Sequence, residues 1–158
     1  MQPDLPPALR AALEQDDLES LTLEVISVGA DGWPHLALVS VGEAVPVSHG
    51  GLRLALWPTS RSAGNLARTG RATLAAVADG TAYRLRLVLV PRGELQGPTG
   101  PLAVFDAQVV DVQADVVPYA VLEAGIRFRL VDRTAVLARW AATRHWLRGL
   151  GEPVSGGP

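Results

Sequence analysis

The sequence predicts a mainly β fold, an antiparallel barrel with helices at its flanks. Three observations carry that expectation. Seven short stretches alternate apolar and polar residues with period two, most are joined by tight turns, and helical periodicity appears only at intervals between them. Strands so numerous and so briefly linked do not fit βαβ units, and closing the sheet into a barrel removes exposed edges.

The first element reads as a helix. Asp4 is placed to cap it, Pro6 and Pro7 fall in its first turn, and Leu5, Leu9 and Leu13 recur every four residues, as in a brace laid across the domain. From Leu21 the period becomes two: Leu21, Leu23 and Val25 alternate with Thr22 and Glu24 up to a turn at Gly29-Ala-Asp-Gly32. The second strand of this hairpin is His35–Val41, with Pro34 at its start, where no ladder donor is needed. Leu52, Leu54 and Leu56 then alternate with Arg53, Ala55 and Trp57 in a strand with one face buried. Pro58 to Leu66 opens a helix that Thr59 or Ser60 can cap and Gly70 can end.

Ala72–Ala78 is a strand of small residues and Asp79-Gly80 a tight turn. In Tyr83–Val90, Leu85, Leu87 and Leu89 share one face while Arg84, Arg86, Val88 and Val90 share the other. Pro91 to Pro101 has loop composition, either a mobile loop or a wide hairpin end. Phe105, Ala107 and Val109 mark a sixth strand. Asp115 is placed to cap a short helix carrying Val117, Val121 and Ala124, which Gly125 stops. Ile126, Phe128 and Leu130 alternate with Arg127 and Arg129 in a seventh strand, and Asp132 caps a last helix with Val136, Trp140, Thr143 and Leu147 on one face. Residues 1–150 thus read as a single domain, and the Gly/Pro-rich 151–158 as a disordered tail.

Composition narrows the chemistry. All 14 basic residues among the 158 are arginine and there is no cysteine. A Schiff-base lysine, a Walker-loop lysine, a cysteine nucleophile and a thiolate metal site are therefore excluded. A net charge of −2 exerts no overall pull on nucleic acid. No apolar run reaches the roughly 18 residues that span a bilayer, and Met1 to Pro7 lacks the pattern of a secretory leader, so a cytoplasmic protein without a membrane partner is expected.

The strongest local feature is Leu54 to Leu66. A helix start offers unpaired N–H groups and a partial positive charge, and here Thr59, Ser60, Arg61 and Ser62 add three hydroxyls and a guanidinium. The segment is either a phosphate cradle or a helix start capped by Thr59 or Ser60 with Arg61 solvated. Trp57, just before it, can stack on a ring or sit in a dimer interface. Arg84, Arg86, Arg127 and Arg129 make either an anionic-ligand surface or a solvated barrel face. Arg139, Arg144 and Arg148 complement the dipole of the last helix. His35, His49 and His145 show no metal spacing, and no Ser-His-acid grouping has a nucleophile signature.

Taken in order, Asp31-Gly-Trp-Pro-His35, Leu36–Val41, Leu52–Trp57, Ser60-Arg-Ser-Ala-Gly-Asn-Leu66, Arg71-Ala-Thr-Leu74 and the strands around Asp79-Gly80 resemble the pyridoxamine 5'-phosphate oxidase-like family of FMN-binding split barrels. The likeness runs from Leu21 to Val90 and more loosely to Val112. It implies an antiparallel split β-barrel and a homodimer with FMN in clefts between subunits. Arg61 would be the phosphate arginine, with Thr59, Ser60 and Ser62 around it. Leu38, Val39 and Ser40 fall on the strand laid along the flavin, and Arg84 matches a position that contacts ring or phosphate. Relatives commonly carry arginine then lysine at the phosphate; here the second residue is Ser62. The C-terminal arginine-and-tryptophan motif of the true oxidase is not matched by Arg139 to Trp146, so vitamin B6 oxidase activity is not expected. The resemblance thus implies a flavin-dependent oxidoreductase with the chemistry carried by FMN and no catalytic side chain assigned. The alternative is a non-catalytic module for FMN, haem or a deazaflavin, or a dimeric barrel that has lost its cofactor.

Overall fold

The computed structural model describes residues 1–15, 19 and 21–154. Its helices are α1 (Pro7–Glu14), α2 (Arg61–Thr69) and α3 (Arg133–Arg148); its strands are β1 (Thr22–Val28), β2 (Pro34–Ser40), β3 (Ala44–Pro46), β4 (Leu52–Leu56), β5 (Arg71–Ala78), β6 (Thr81–Gly97) and β7 (Gly100–Asp115). Single 3-10 turns at Val41–Glu43 and Ser48–Gly50 bracket β3. The strands form one curled antiparallel sheet in the order β2-β1-β5-β6-β7-β4-β3, a split barrel with flanking helices.

The inward residues of β1, β5, β6 and β7 are those the alternation picks out, among them Leu23, Val25, Leu74, Leu85, Leu87 and Val109. Leu9 and Leu13 of α1 enter the same core fully buried. Truncating either to alanine removes contacts worth about 2–5 kcal/mol. α1 has no side-chain cap. Asp4 lies instead against Gly50, whose missing Cβ would stand 2.0 Å from the Asp4 carboxylate, and Leu5 N–H donates to the Gly50 carbonyl at 2.8 Å.

Seven strands are present, but not the expected seven. β3, too short to show alternation, takes the place of 126–130, which is neither strand nor helix. The reason is pairing: β6 already has β5 and β7 beside it, and the open edges are β2 and β3. Phe128 and Leu130 still turn toward the core, Phe128 meeting Trp140 edge-on at 6.1 Å, which explains their periodicity. The helix expected after Asp115 is absent as well. Asp115 pairs with Arg84 rather than capping, and Pro118 supplies no amide hydrogen. Pro91 to Pro101 is a hairpin end: β6 runs through Pro91 across a register shift, with Gly93 at φ 94°, and turns back into β7.

β4 is buried on both faces, not one. Leu52, Leu54 and Leu56 enter the main core, while Ala55 joins Val45, Leu102, Val104 and Leu147 in a second cluster under α3. Arg53 shares that outer face and is fully buried there. Chain expected to be a free tail runs back over the barrel as far as Val154, as the next section shows; residues 155–158 lie outside those described.

Candidate functional site

α2 links the end of β4 to the start of β5 and packs on β1 and β2, with Asn65 Nδ2 donating to Ser27 Oγ at 3.0 Å. Ser60 caps it: Ser60 Oγ accepts from Ala63 N–H at 3.1 Å. Gly70, at φ 63°, ends it in the left-handed conformation that glycine adopts without strain. The capping reading of Ser60 is therefore realised, and its oxygen is engaged.

What the cap leaves free bears on function. Backbone N–H groups of Arg61 and Ser62, in the first turn, have no acceptor among the described residues. The Arg61 side chain is exposed and makes no hydrogen bond or ion pair among them either. Thr59 is exposed beside it, whereas Ser62 is buried. An exposed guanidinium, two N–H donors without an acceptor among the described residues and a hydroxyl thus lie on neighbouring residues at a helix start whose dipole favours an anion.

The other resemblance-derived residues divide. Leu38 points outward from edge strand β2 and is 55% exposed; Val39, at 2%, belongs to the core and can offer only backbone to a ligand. Ser40 hydrogen-bonds Glu43 through its backbone N–H and its hydroxyl. Trp57 is exposed next to the helix start. Arg84 shares a transverse row with Leu38, through Glu24 and Ala75, three strand spacings or roughly 14 Å away. Its guanidinium is held by Gln113 and Asp115 on β7.

Sequence reasoning missed two further groups. Glu43, in the turn after β2, shares a small cavity with Trp57, Arg139, Trp140 and Thr143. Burial pushes its carboxyl above the ordinary carboxylate range, against hydrogen bonds from Ser40 and the charge of Arg139. Gly42 beside it is obligatory, since a Cβ there would lie 2.1 Å from the Trp140 ring. A lone acid after a glycine carries no signal in sequence. The second group is Asp106, whose Oδ1 accepts from Arg53 Nε at 2.7 Å and whose Oδ2 accepts from Arg92 Nη1 at 3.1 Å and Val154 N–H at 2.7 Å. Arg53 also donates to the carbonyls of Leu147 and Gly151, and Arg92 to those of Leu150 and Glu152, which ties the C-terminal segment down. Burial alone would raise the Asp106 pKa; the bonds from Arg53, Val154 and Arg92 outweigh it and hold the carboxyl below its ordinary value. Arg144, expected near the helix dipole, is buried and donates to the carbonyls of Val41, Ala44 and Leu13. Arg127 and Arg129 lie on the irregular segment, not on a strand beside Arg84 and Arg86.

Ser48 Oγ donates to Glu152, which lies 3.7 Å from His49 Nε2, and no group of three metal-holding side chains occurs among the described residues. No helix among them is long and apolar enough to cross a membrane.

No protein-family profile matches the chain. Three solved structures share the fold. A candidate pyridoxamine 5'-phosphate oxidase from Lactobacillus delbrueckii is 14% identical, with a TM-score of 0.56 over 70% of this chain and 93% of its own. An F420 reductase is 12% identical, with 0.53 over 69% and 98%, and the haem storage protein HutZ from Vibrio cholerae is 13% identical, with 0.51 over 70% and 94%. The uncharacterized protein YclD of Bacillus subtilis (strain 168) is 35% identical over 133 residues, 84% of this chain and 85% of that one. The chain belongs to the same family as YclD, and its fold is the split barrel of the pyridoxamine 5'-phosphate oxidase-like proteins.

Proposed function

We propose that the protein is a homodimeric flavoprotein that holds FMN by its phosphate at the start of α2 and acts as a flavin-dependent oxidoreductase on a small-molecule substrate. One observation carries this reading: at the start of α2 the Arg61 guanidinium and the N–H groups of Arg61 and Ser62 have no partner among the described residues. Arg61, those two N–H groups and Thr59 bind the phosphate, while Leu38 and Trp57 supply apolar surface for the ring. When bound, the flavin supplies hydride or electron transfer; the protein positions it and limits access of water. A second copy covers Leu36 and Leu38 on the edge strand and the 87%-exposed Tyr119. The split-barrel neighbours described as a reductase and a candidate oxidase support the assignment.

The visible spectrum of purified protein tests it. A yellow preparation, or one that turns yellow with added FMN and sediments as a dimer, is expected; a colourless monomer that fails to take up FMN contradicts the reading.

A second reading has its own observation. Where relatives carry a second cation, Ser62 is buried and uncharged, which weakens the hold on a phosphate and fits a carrier or sensor of FMN, haem or a deazaflavin. The neighbour described as a haem storage protein has the same fold. Flavin reduction by NADH or NADPH with turnover of an acceptor favours the enzyme; binding without turnover favours the carrier.

A further inference from the structure

On the outer face of the sheet, a cleft of about 480 Å³ crosses β1, β5, β6 and β7, within the size range of small-molecule sites. Its floor is apolar: Ile26, Val28, Val88 and Val110. Two arginines stand in it. Arg71 is paired in register with Val88, and Arg86 with Thr73, so they are diagonal neighbours on adjacent strands, roughly 7–8 Å apart at the backbone. Neither guanidinium makes a hydrogen bond or ion pair among the described residues, and no carboxylate lines the cleft. A third guanidinium, Arg68, reaches its edge and donates to the Val28 carbonyl.

The neighbouring row shows what a solvated sheet face looks like. There Arg84 is neutralised by Asp115 and hydrogen-bonded to Gln113. Asp111 is opposite Arg86 in register and Glu24 lies one row from Ile26, yet neither forms an ion pair with Arg71 or Arg86. Two guanidinium groups without an ion pair among the described residues, set over an apolar floor, match a ligand with an apolar body and an anionic head, which guanidinium groups bind through paired N–H donors. Arg61 opens α2 and Arg71 lies in β5, beyond the other end of the helix, which is about 12 Å long at 1.5 Å per residue, so this cleft is not the phosphate cradle.

We propose that the Arg71–Arg86 cleft is a binding site for a small apolar anion, a carboxylate or sulfonate on an aromatic or branched aliphatic body. The inference does not rest on the flavin reading and is testable whether or not FMN binds.

The probes are anilinonaphthalene sulfonate and its uncharged counterpart phenylnaphthylamine, titrated by fluorescence into the full-length protein. The sulfonate should saturate at one per chain and bind about tenfold or more tighter than the uncharged probe. Combined Arg71→Gln and Arg86→Gln substitution should remove that preference while leaving the urea midpoint and the uncharged probe unaffected. Arg127→Gln with Arg129→Gln, which removes equal charge elsewhere, should leave it intact. Equal affinity for the two probes, equal weakening by both double variants, or displacement of the sulfonate by FMN would each overturn the proposal. Loss of FMN binding on Arg61→Ala alone concerns the cradle and leaves this site standing.

Discussion

Two arginine sites at opposite ends of the exposure scale organise this protein. Around Asp106, Arg53 and Arg92 are fully committed: every guanidinium contact goes to the carboxylate or to a carbonyl in the last turn of α3 or after it. At the start of α2, Arg61 has no partner among the described residues, and the adjacent N–H groups have none either. The first arrangement is complete without a ligand and fastens the C-terminal segment to the barrel. The second is complete only with an anion. Residue type does not separate the two roles; the presence of acceptors does.

Breaking the buried site should have the largest effect. Asp106→Asn leaves Arg53 buried without its counter-charge and should cost about 3–5 kcal/mol, read as a fall in the urea midpoint at unchanged slope. Arg61→Ala should do the reverse. Stability should stay within about 0.5 kcal/mol of wild type, while FMN affinity falls by about 1.5–3 kcal/mol, seen in equilibrium flavin fluorescence titrations. An Arg61→Ala protein that unfolds early but binds FMN normally would erase the distinction drawn between the sites.

Smaller effects sharpen it. Ser60→Ala removes the cap on Ala63 N–H and should lower stability by about 1 kcal/mol, with a weaker loss of FMN affinity than Arg61→Ala. Acid should also loosen the Asp106 site. The Asp106 carboxyl is held below its ordinary value, so its contribution is full above the unfolded carboxylate range and disappears as pH falls through the lower folded value. Glu43 runs the other way: its folded pKa is raised, so its contribution is lost as pH rises through that value. Glu43→Gln should therefore gain on wild type as pH rises above about 4. Urea midpoints at several pH values check both signs.

Much of the barrel was legible because inward residues of β1, β5 and β6 alternate strictly, and because Ser60 and Gly70 bracket α2 with side chains suited to helix ends. Where the reading failed, tertiary context had decided. Ile126 to Leu130 alternates like a strand yet pairs with none, β6 being already flanked by β5 and β7, and β3 is too short for a period to show. β4 reads as one-sided because Arg53 alternates with its leucines; Asp106, 53 residues further on, makes the burial of Arg53 tolerable. For the candidate site, the α2 start was readable from local chemistry. Glu43 and the Arg71–Arg86 cleft were not, since each depends on elements that only the fold brings together.

The central claim is that Arg61 and the first turn of α2 recognise a phosphate. The most direct measurement compares FMN with riboflavin, which shares the ring and lacks the phosphate, on wild type and Arg61→Ala by fluorescence titration. The account predicts that wild type prefers FMN by about tenfold or more and that the substitution abolishes this preference while leaving riboflavin affinity unchanged. Equal affinity of wild type for the two flavins, or a preference that survives Arg61→Ala, would contradict it.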